Sequence, residues 1–391
     1  MLKKILDYTP GIKMPNKAVG YIPLGSYLAS CNKINYATIG AIITSGKVCN
    51  MCPTMVSNDP LTAEADAIQF YAHLKGVRNL PERVVVQEWG IGNGRFALDF
   101  LRKLGGLDIA GGTNYLERIK YVLVDFSSSI IAYARYNLKG FERNTEFVKF
   151  DLSEDINIYK GETIYIRSNE LYDDLPGIID LKKQGDTYYM GYVLPGADRN
   201  PIRPGNGGNI EYKKIDINDL PLGPMIDSYF KHYQLEHDLI NVGAVQSIIN
   251  AHSLLSPQGY IQIFDYAARE PGRSRIRWTD WRQPTSDVNF HFLIYALQYY
   301  GYPAPVFQQQ EEYLSLIHKD RYFIAPPEDD LPERPASSSD PYYMACFDAL
   351  MGIAKRTEGK YWFKEVEIFE AFRAITKDDF KALELLGILT K

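Results

Sequence analysis

Apolar positions along this chain switch repeatedly between a short continuous run and a helical spacing. VVVQEWG (84–90) opens with a β-branched run that reads as a buried strand. RFALDFLRKL (95–104) follows, with Phe96, Ala97, Phe100, Leu101 and Leu104 on one helical face and Arg95, Asp99, Arg102 and Lys103 largely on the other. The alternation continues with YVLVDF (121–126) as strand, SSSIIAYARYNL (127–138) as a serine-capped helix, then FVKFD (147–151) and IYIRSNE (164–170) as strands. DLINVGAVQSIINAHSLL (238–255) reads as one long helix, closed by SPQG and followed by the strand YIQIFDY (260–266). Upstream, Leu61, Ala65, Ile68 and Leu74 behind Asp59 and Pro60 predict a capped helix. Strands alternating with helices imply right-handed parallel crossovers. The expected fold is therefore α/β and Rossmann-like: a mostly parallel open sheet with helices on both faces and its ligand site at the carboxyl ends of the strands.

The pattern divides the chain into an N-terminal extension (1–58) with little clear period and a core (59–324) carrying an insertion around 180–230. A linker or mobile loop (325–341) and a C-terminal helical segment (342–391) complete the division. LPGADRNPIRPGNGGN (194–209) looks like an exposed loop within the insertion, and APPEDDLPERPASSSDP (325–341) has linker composition. EVEIFEAFRAI (365–375) and DDFKALELLGIL (378–389) read as helices of the appendage.

Composition narrows the function class. The formal net charge of -5 over 391 residues argues against nucleic acid held through phosphate contacts, and 46% hydrophobic content is that of an ordinary soluble protein. Four cysteines are too few for a disulfide-built fold, so a reducing, cytoplasmic setting is expected. Cys49 and Cys52 have the spacing of half a zinc site but lack a second pair, and no metal is expected. No stretch approaches the roughly 18 to 20 apolar residues that span a bilayer. Neither nucleic acid nor a membrane is expected as a partner, and a homodimer is the assembly to test.

Candidate chemistry centres on EWGIGNG. Gly90, Gly92 and Gly94 after a strand permit positive φ and close approach of a ligand to bare backbone, although turns use glycine for their own sake. Glu88 ahead of them would repel a pyrophosphate and attract an amino group or sulfonium, and S-adenosylmethionine carries both. Asp125 ends the second strand, where an acid can accept ribose hydroxyls, and Asp151 ends the third, within reach of an adenine amino group. Phe126 and Leu152 flank them as further cofactor contacts. Each acid alone also fits an ordinary strand-end cap. SNELYDDLP (168–176) ends the fourth strand and gathers Asn169, Glu170, Asp173 and Asp174, either as the reacting corner or as a capped turn.

The sequence resembles the MidA-like methyltransferases, the family containing the mitochondrial complex I assembly factor that methylates a protein arginine. EWGIGNGRFALDFLRKL is similar to the family's E-x-G-x-G-x-G unit, and YVLVDFSSSIIAYAR to its second strand and helix, with Asp125 for the usual Glu. SNELYDDLP is similar to its NE-(F/L)-(F/L)-DALP signature, with Asp174 for the alanine. IFDYA, SDVNFHF and QQEEYL resemble later motifs, and the first 60 residues carry no recognised motif of the family. The resemblance implies S-adenosyl-L-methionine as cofactor and arginine methylation as the reaction. In that reading Glu170 and Asp173 orient the guanidinium, and Asn169 holds donor or acceptor. His291, in SDVNFHF, is the candidate base for a neutral acceptor, and it fits equally a histidine packed in an aromatic core. A small molecule or another peptide side chain as acceptor, or a non-catalytic assembly factor retaining the fold, are the alternatives.

Overall fold

The computed structural model describes residues 21–32, 60–193 except 153 and 155, 210–314 except 269, 279–283 and 311, and 366–371. The two proline- and glycine-rich segments at 194–209 and 325–341, DDFKALELLGIL, and the Cys49/Cys52 pair lie outside the described residues.

In chain order the first elements are β1 (Ile22–Pro23) and a helix α1 over 24–32, then α2 (Pro60–Gly76). The alternating region follows: β2 (Val84–Trp89), α3 (Arg95–Gly111), α4 (Tyr115–Arg118), β3 (Ile119–Asp125), α5 (Ser128–Asn137), β4 (Thr145–Lys149) and β5 (Thr163–Asn169). An antiparallel run comes next, with β6 (Ile178–Gln184), β7 (Thr187–Val193), β8 (Ile210–Ile215), α6 (Gly223–Tyr233) and β9 (His237–Asn241). The chain then re-enters the first layer with α7 (Val242–Leu254), β10 (Leu255–Tyr266), the short pair β11 (Ile276–Trp278) and β12 (Pro284–Ser286), α8 (Phe290–Tyr299), β13 (Val306–Gln309) and β14 (Val366–Ala371).

The main sheet has seven strands in the order β13-β14-β10-β5-β2-β3-β4. β4, β3, β2, β5 and β10 run parallel, and β14 is antiparallel to both its neighbours. Central strands covered on both faces read as continuous apolar runs, and every residue of β2 and β5 is buried. Val84 and Val86 face a core built with α2, α3 and α5. Val85 and Trp89 face a second core shared with α6, α7, α8 and the inner face of the antiparallel layer. Ser127 caps α5 by accepting from the Ile130 N–H at 3.4 Å.

The insertion between the fourth and fifth parallel strands is a sheet of its own, in the order β1-β7-β6-β9 with β8 also paired to β7. Two sequence expectations change here. DLIN is not the start of the following helix but strand β9, because Ile240 and Leu239 find partners at Ile179 and Asp180 of β6 and all four residues are buried. EVEIFEAFRAI is not a helix where it is described: Val366–Ala371 forms β14, paired on one side with β10 and on the other with β13. A segment with Val, Ile and Phe in quick succession suits a strand slot flanked by two ladders.

Candidate functional site

The strand register brings the relevant tips to one edge. Trp89 sits beside Val124 on one side and Ser168 on the other, and Asn169 sits beside Phe264, so β3, β2, β5 and β10 end at a common level. The glycine loop leaves β2 there. Gly90, Gly92 and Gly94 all have positive φ, at 72°, 50° and 76°. A Cβ on Gly94 would lie 2.9 Å from the Ala134 Cβ, so this glycine is required for α3 to pack on α5. A Cβ on Gly92 would meet nothing within 4 Å. Packing therefore explains Gly94 and leaves Gly92 as bare backbone facing open space.

Glu88 departs from its expected role. Its side chain is 2% exposed, accepting a hydrogen bond from the Tyr121 hydroxyl at 2.9 Å and lying 3.5 Å from an Arg167 amine nitrogen. The Arg167 Nε donates to Asp66 at 3.0 Å, and Asp66 also accepts from Tyr165 and Tyr313 at 3.2 and 2.7 Å. The Phe96 ring lies under the guanidinium, 3.2 Å from its centre. Burial pushes the Glu88 carboxyl up to about 7, against the opposing pull of Arg167. Its oxygens thus take part in a buried network with Tyr121 and Arg167 at the end of β2, where the loop begins.

Asp125 is better placed. It is 6% exposed, its Oδ1 accepts from the Ser127 N–H at 2.8 Å, and the N–H groups of Ile91 and Phe126 also point to its carboxylate. No cation pairs with it among these contacts, and burial pushes it up to about 6. Phe126 beside it is 39% exposed, unusual for a phenylalanine. The Phe150 N–H donates to the Asp125 carbonyl at 2.9 Å, which carries exposed Asp151 and half-buried Leu152 past the same strand tip.

The SNELYDDLP corner is built by backbone constraint. Asn169 is 9% exposed, and neither its amide nitrogen nor its amide oxygen has a partner. Buried polar atoms of this kind are rare and mark a missing ligand or water. Glu170 takes a left-handed φ of 47° while its N–H donates to the Phe264 carbonyl at 2.8 Å. A non-glycine residue held there costs about 1–3 kcal/mol and is sustained by its surroundings. Asp265 supplies that support and escaped the sequence reading as a site residue. It is fully buried, and its Oδ2 accepts from the N–H groups of Tyr172 and Asp173 at 2.9 and 3.3 Å, while Oδ1 accepts from Tyr266 at 2.8 Å. Burial holds its carboxyl well above the usual carboxylate range. The available signal was an acid ending the apolar strand YIQIF.

His291 begins α8 near the tip of β10, since the Val288 N–H donates to the Tyr266 carbonyl at 2.8 Å. Its ring lies 5.4 Å from that of Phe307, and its Nε2 is buried without a partner. The structure thus gathers Gly92, Asp125, Phe126, Asp151, Asn169 and Glu170 at one sheet edge, with Asp173 on the turn below and His291 at the flank. Among the described residues no group of three or more His, Cys, Asp or Glu side chains could hold a metal, and no helix is long and apolar enough to cross a membrane.

These raised carboxyls set a pH dependence. Glu88 and Asp125 bind protons more tightly folded than unfolded, so their stabilisation is full below about 4 and is lost as pH rises through about 6 and about 7. The ligand-free protein is expected to melt at a lower temperature at pH 8 than at pH 5.5. Glu88→Gln should flatten that slope, and a melting temperature rising across this window would contradict the assignment.

Known proteins share this fold. Residues 67–279 match a family model described as "Putative S-adenosyl-L-methionine-dependent methyltransferase". Two crystal structures from Burkholderia thailandensis superpose on the chain. One is an uncharacterized protein, at a TM-score of 0.60 and 15% identity, covering 97% of this chain and 95% of that one. The other was solved bound to S-adenosyl-homocysteine, at a TM-score of 0.61, 15% identity and the same 97% and 95% coverage. At that identity the likeness shows the fold, a Rossmann-like methyltransferase architecture with added elements. Among curated proteins no significant match was found.

Proposed function

We propose that this chain, which belongs to the family of S-adenosyl-L-methionine-dependent methyltransferases whose model spans residues 67–279, N-methylates an arginine of a protein or peptide. The observation that carries the reading is the Asn169–Glu170 corner, a strained turn beside the glycine loop with a buried amide that lacks partners on both its atoms.

The residues at the sheet edge fit the donor. Gly92 offers side-chain-free backbone, Asp125 has carboxylate capacity for two ribose hydroxyls, Phe126 and Leu152 offer apolar surface to a base, and Asp151 accepts from its amino group. The Asn169 amide can both donate and accept. Bound there, the donor supplies an electrophilic methyl on a sulfonium.

The remaining work falls to the chain's own acids. Glu170 and Asp173 accept from a guanidinium, fix its orientation and draw its positive charge toward the nitrogens they hold, which leaves electron density on the reacting one. Alignment of this kind is worth roughly 7–11 kcal/mol when reacting atoms are held about 3–3.5 Å apart. Glu88, paired with Arg167, lies at the end of β2, where the loop begins. A second reading, transfer to a neutral small molecule with His291 as base, is favoured by the unpartnered Nε2 of that histidine.

The test begins with calorimetry against S-adenosylmethionine, S-adenosylhomocysteine and NAD, where binding of the first two and not the third is expected. Transfer is then followed with labelled donor and arginine-containing peptides. Glu170→Gln should leave S-adenosylhomocysteine affinity within about twofold and slow transfer roughly 10- to 150-fold, the worth of one hydrogen bond to a charged group. Collapse of cofactor binding in that variant would place Glu170 on the donor side and contradict its role.

A further inference from the structure

Two features left unconnected by the sequence meet in the structure. Asp174 is the residue by which SNELYDDLP departs from the signature it resembles, and the N-terminal residues carry no motif of that family recognisable in sequence. Helix α1 joins them: the Asn32 Nδ2 donates to the Asp174 Oδ1 at 2.5 Å across 142 positions of sequence. Asn32 is only 4% exposed and Asp174 is half-buried.

The helix is fixed at both ends. At its start Leu24, Tyr27 and Leu28 are buried against Ile178 and Val193 of the antiparallel layer. Gly25 approaches so closely that a Cβ there would come within 1.8 Å of the Ile178 carbonyl oxygen, and no other residue fits. At its end Asn32 grips the turn itself, since the Asp174 N–H donates to the Leu171 carbonyl at 3.1 Å and ties Asp174 to the backbone that carries Glu170 and Asp173. Ser286 and Asp265 hold the turn from other directions, through the Asp173 carbonyl at 3.4 Å and the Tyr172 N–H at 2.9 Å.

We infer that Asn32 is a positioning residue: through Asp174 it sets the acceptor side of the Asn169–Pro176 turn, so that helix α1 forms one wall of the acceptor site and takes part in selecting the acceptor. The inference rests on the proposed methyl transfer to a cationic peptide side chain. It ties the N-terminal part of the chain to specificity rather than to donor binding.

The test uses the full-length protein, S-adenosylhomocysteine as donor-site probe, and an arginine-centred synthetic peptide library with labelled donor. Asn32→Ala is expected to raise the KM for accepted peptides about tenfold, as loss of one charge-assisted hydrogen bond implies. S-adenosylhomocysteine affinity should stay within about twofold and the melting temperature nearly unchanged. Asn32→Asp should be worse, because it opposes two carboxylates, and the exchanged pair Asn32→Asp with Asp174→Asn should restore the KM. An unchanged KM and peptide preference in Asn32→Ala would overturn the inference. So would a parallel loss of donor affinity and folding without rescue by the exchanged pair, which marks a purely structural bond. Absence of any transfer by the unaltered protein would instead remove the proposed function, and the inference with it.

Discussion

Arg167→Ala is expected to destabilise the protein by about 3–5 kcal/mol, the cost of breaking a buried ion pair by removing one partner. The guanidinium is 1% exposed and sits between Asp66, fully buried, and Glu88, at 2%. Three tyrosine hydroxyls, from Tyr121, Tyr165 and Tyr313, complete the network around the two acids. Without the cation both carboxyls stay out of water with nothing to balance them, and the Phe96 face loses the group it lies against. Urea unfolding followed by tryptophan fluorescence reads the change as a shift of midpoint. Because the variant's two acids can be neutralised by protonation, the deficit should shrink as the pH is lowered toward 5. A loss under about 1 kcal/mol would show that the network is not a structural keystone. Arg167 also lies two residues before Asn169 on β5, so the surviving folded fraction should bind the cofactor less tightly.

Asp125→Asn is expected to lower S-adenosylhomocysteine affinity roughly 10- to 150-fold, the worth of one hydrogen bond to a charged acceptor, since the amide keeps only one of the two accepting oxygens. The amide oxygen of asparagine can still accept from the Ser127 N–H, so the protein should stay folded, with affinity compared at a temperature well below the melting transition of both proteins. Linkage supplies a second signature. Burial raises the Asp125 carboxyl to about 6, so the unaltered protein should lose affinity as pH falls from 7 to 5, whereas the asparagine variant should be flat over that interval. Titration calorimetry across this range measures both. Equal affinities for the two proteins, or an equal pH slope, would remove Asp125 from the donor site.

The parallel core was legible because its signals are local. A β-branched run followed by an amphipathic decade of residues needs no distant partner to be recognised, and β2, α3, β3, α5, β4 and β5 lie close to where the pattern put them, whereas β10 starts earlier than expected, at Leu255, and takes in the SPQG read as the helix closure. The glycine loop was legible for the same reason, since positive φ at three alternating positions is written directly in residue type. Elements that depend on partners were misread or missed. β9 and β14 owe their conformation to the ladders they join. Helix α1 was passed over although Leu24, Tyr27, Leu28 and Cys31 have i, i+3, i+4, i+7 spacing, because its length is marginal without the surface it covers.

In the site, residue type indicated the place but not the partner. Glu88 was assigned to the ligand because the buried cation that engages it comes from another strand, and Asp66 meets the same cation across 101 positions of sequence. An arginine in the middle of the apolar strand IYIRSN was itself the clue, since a charge there demands a counter-charge. Asp265 was hidden because its partners are backbone N–H groups, which no sequence displays.

The central claim concerns where the donor lies, and a crystal structure of the complex with S-adenosylhomocysteine addresses it most directly. The account predicts the nucleoside against the backbone of Gly90–Gly92, both ribose hydroxyls on the Asp125 carboxylate, and the thioether end directed to the Asn169 amide. Density for the ligand in any other cleft, or a ribose turned away from Asp125, would contradict it.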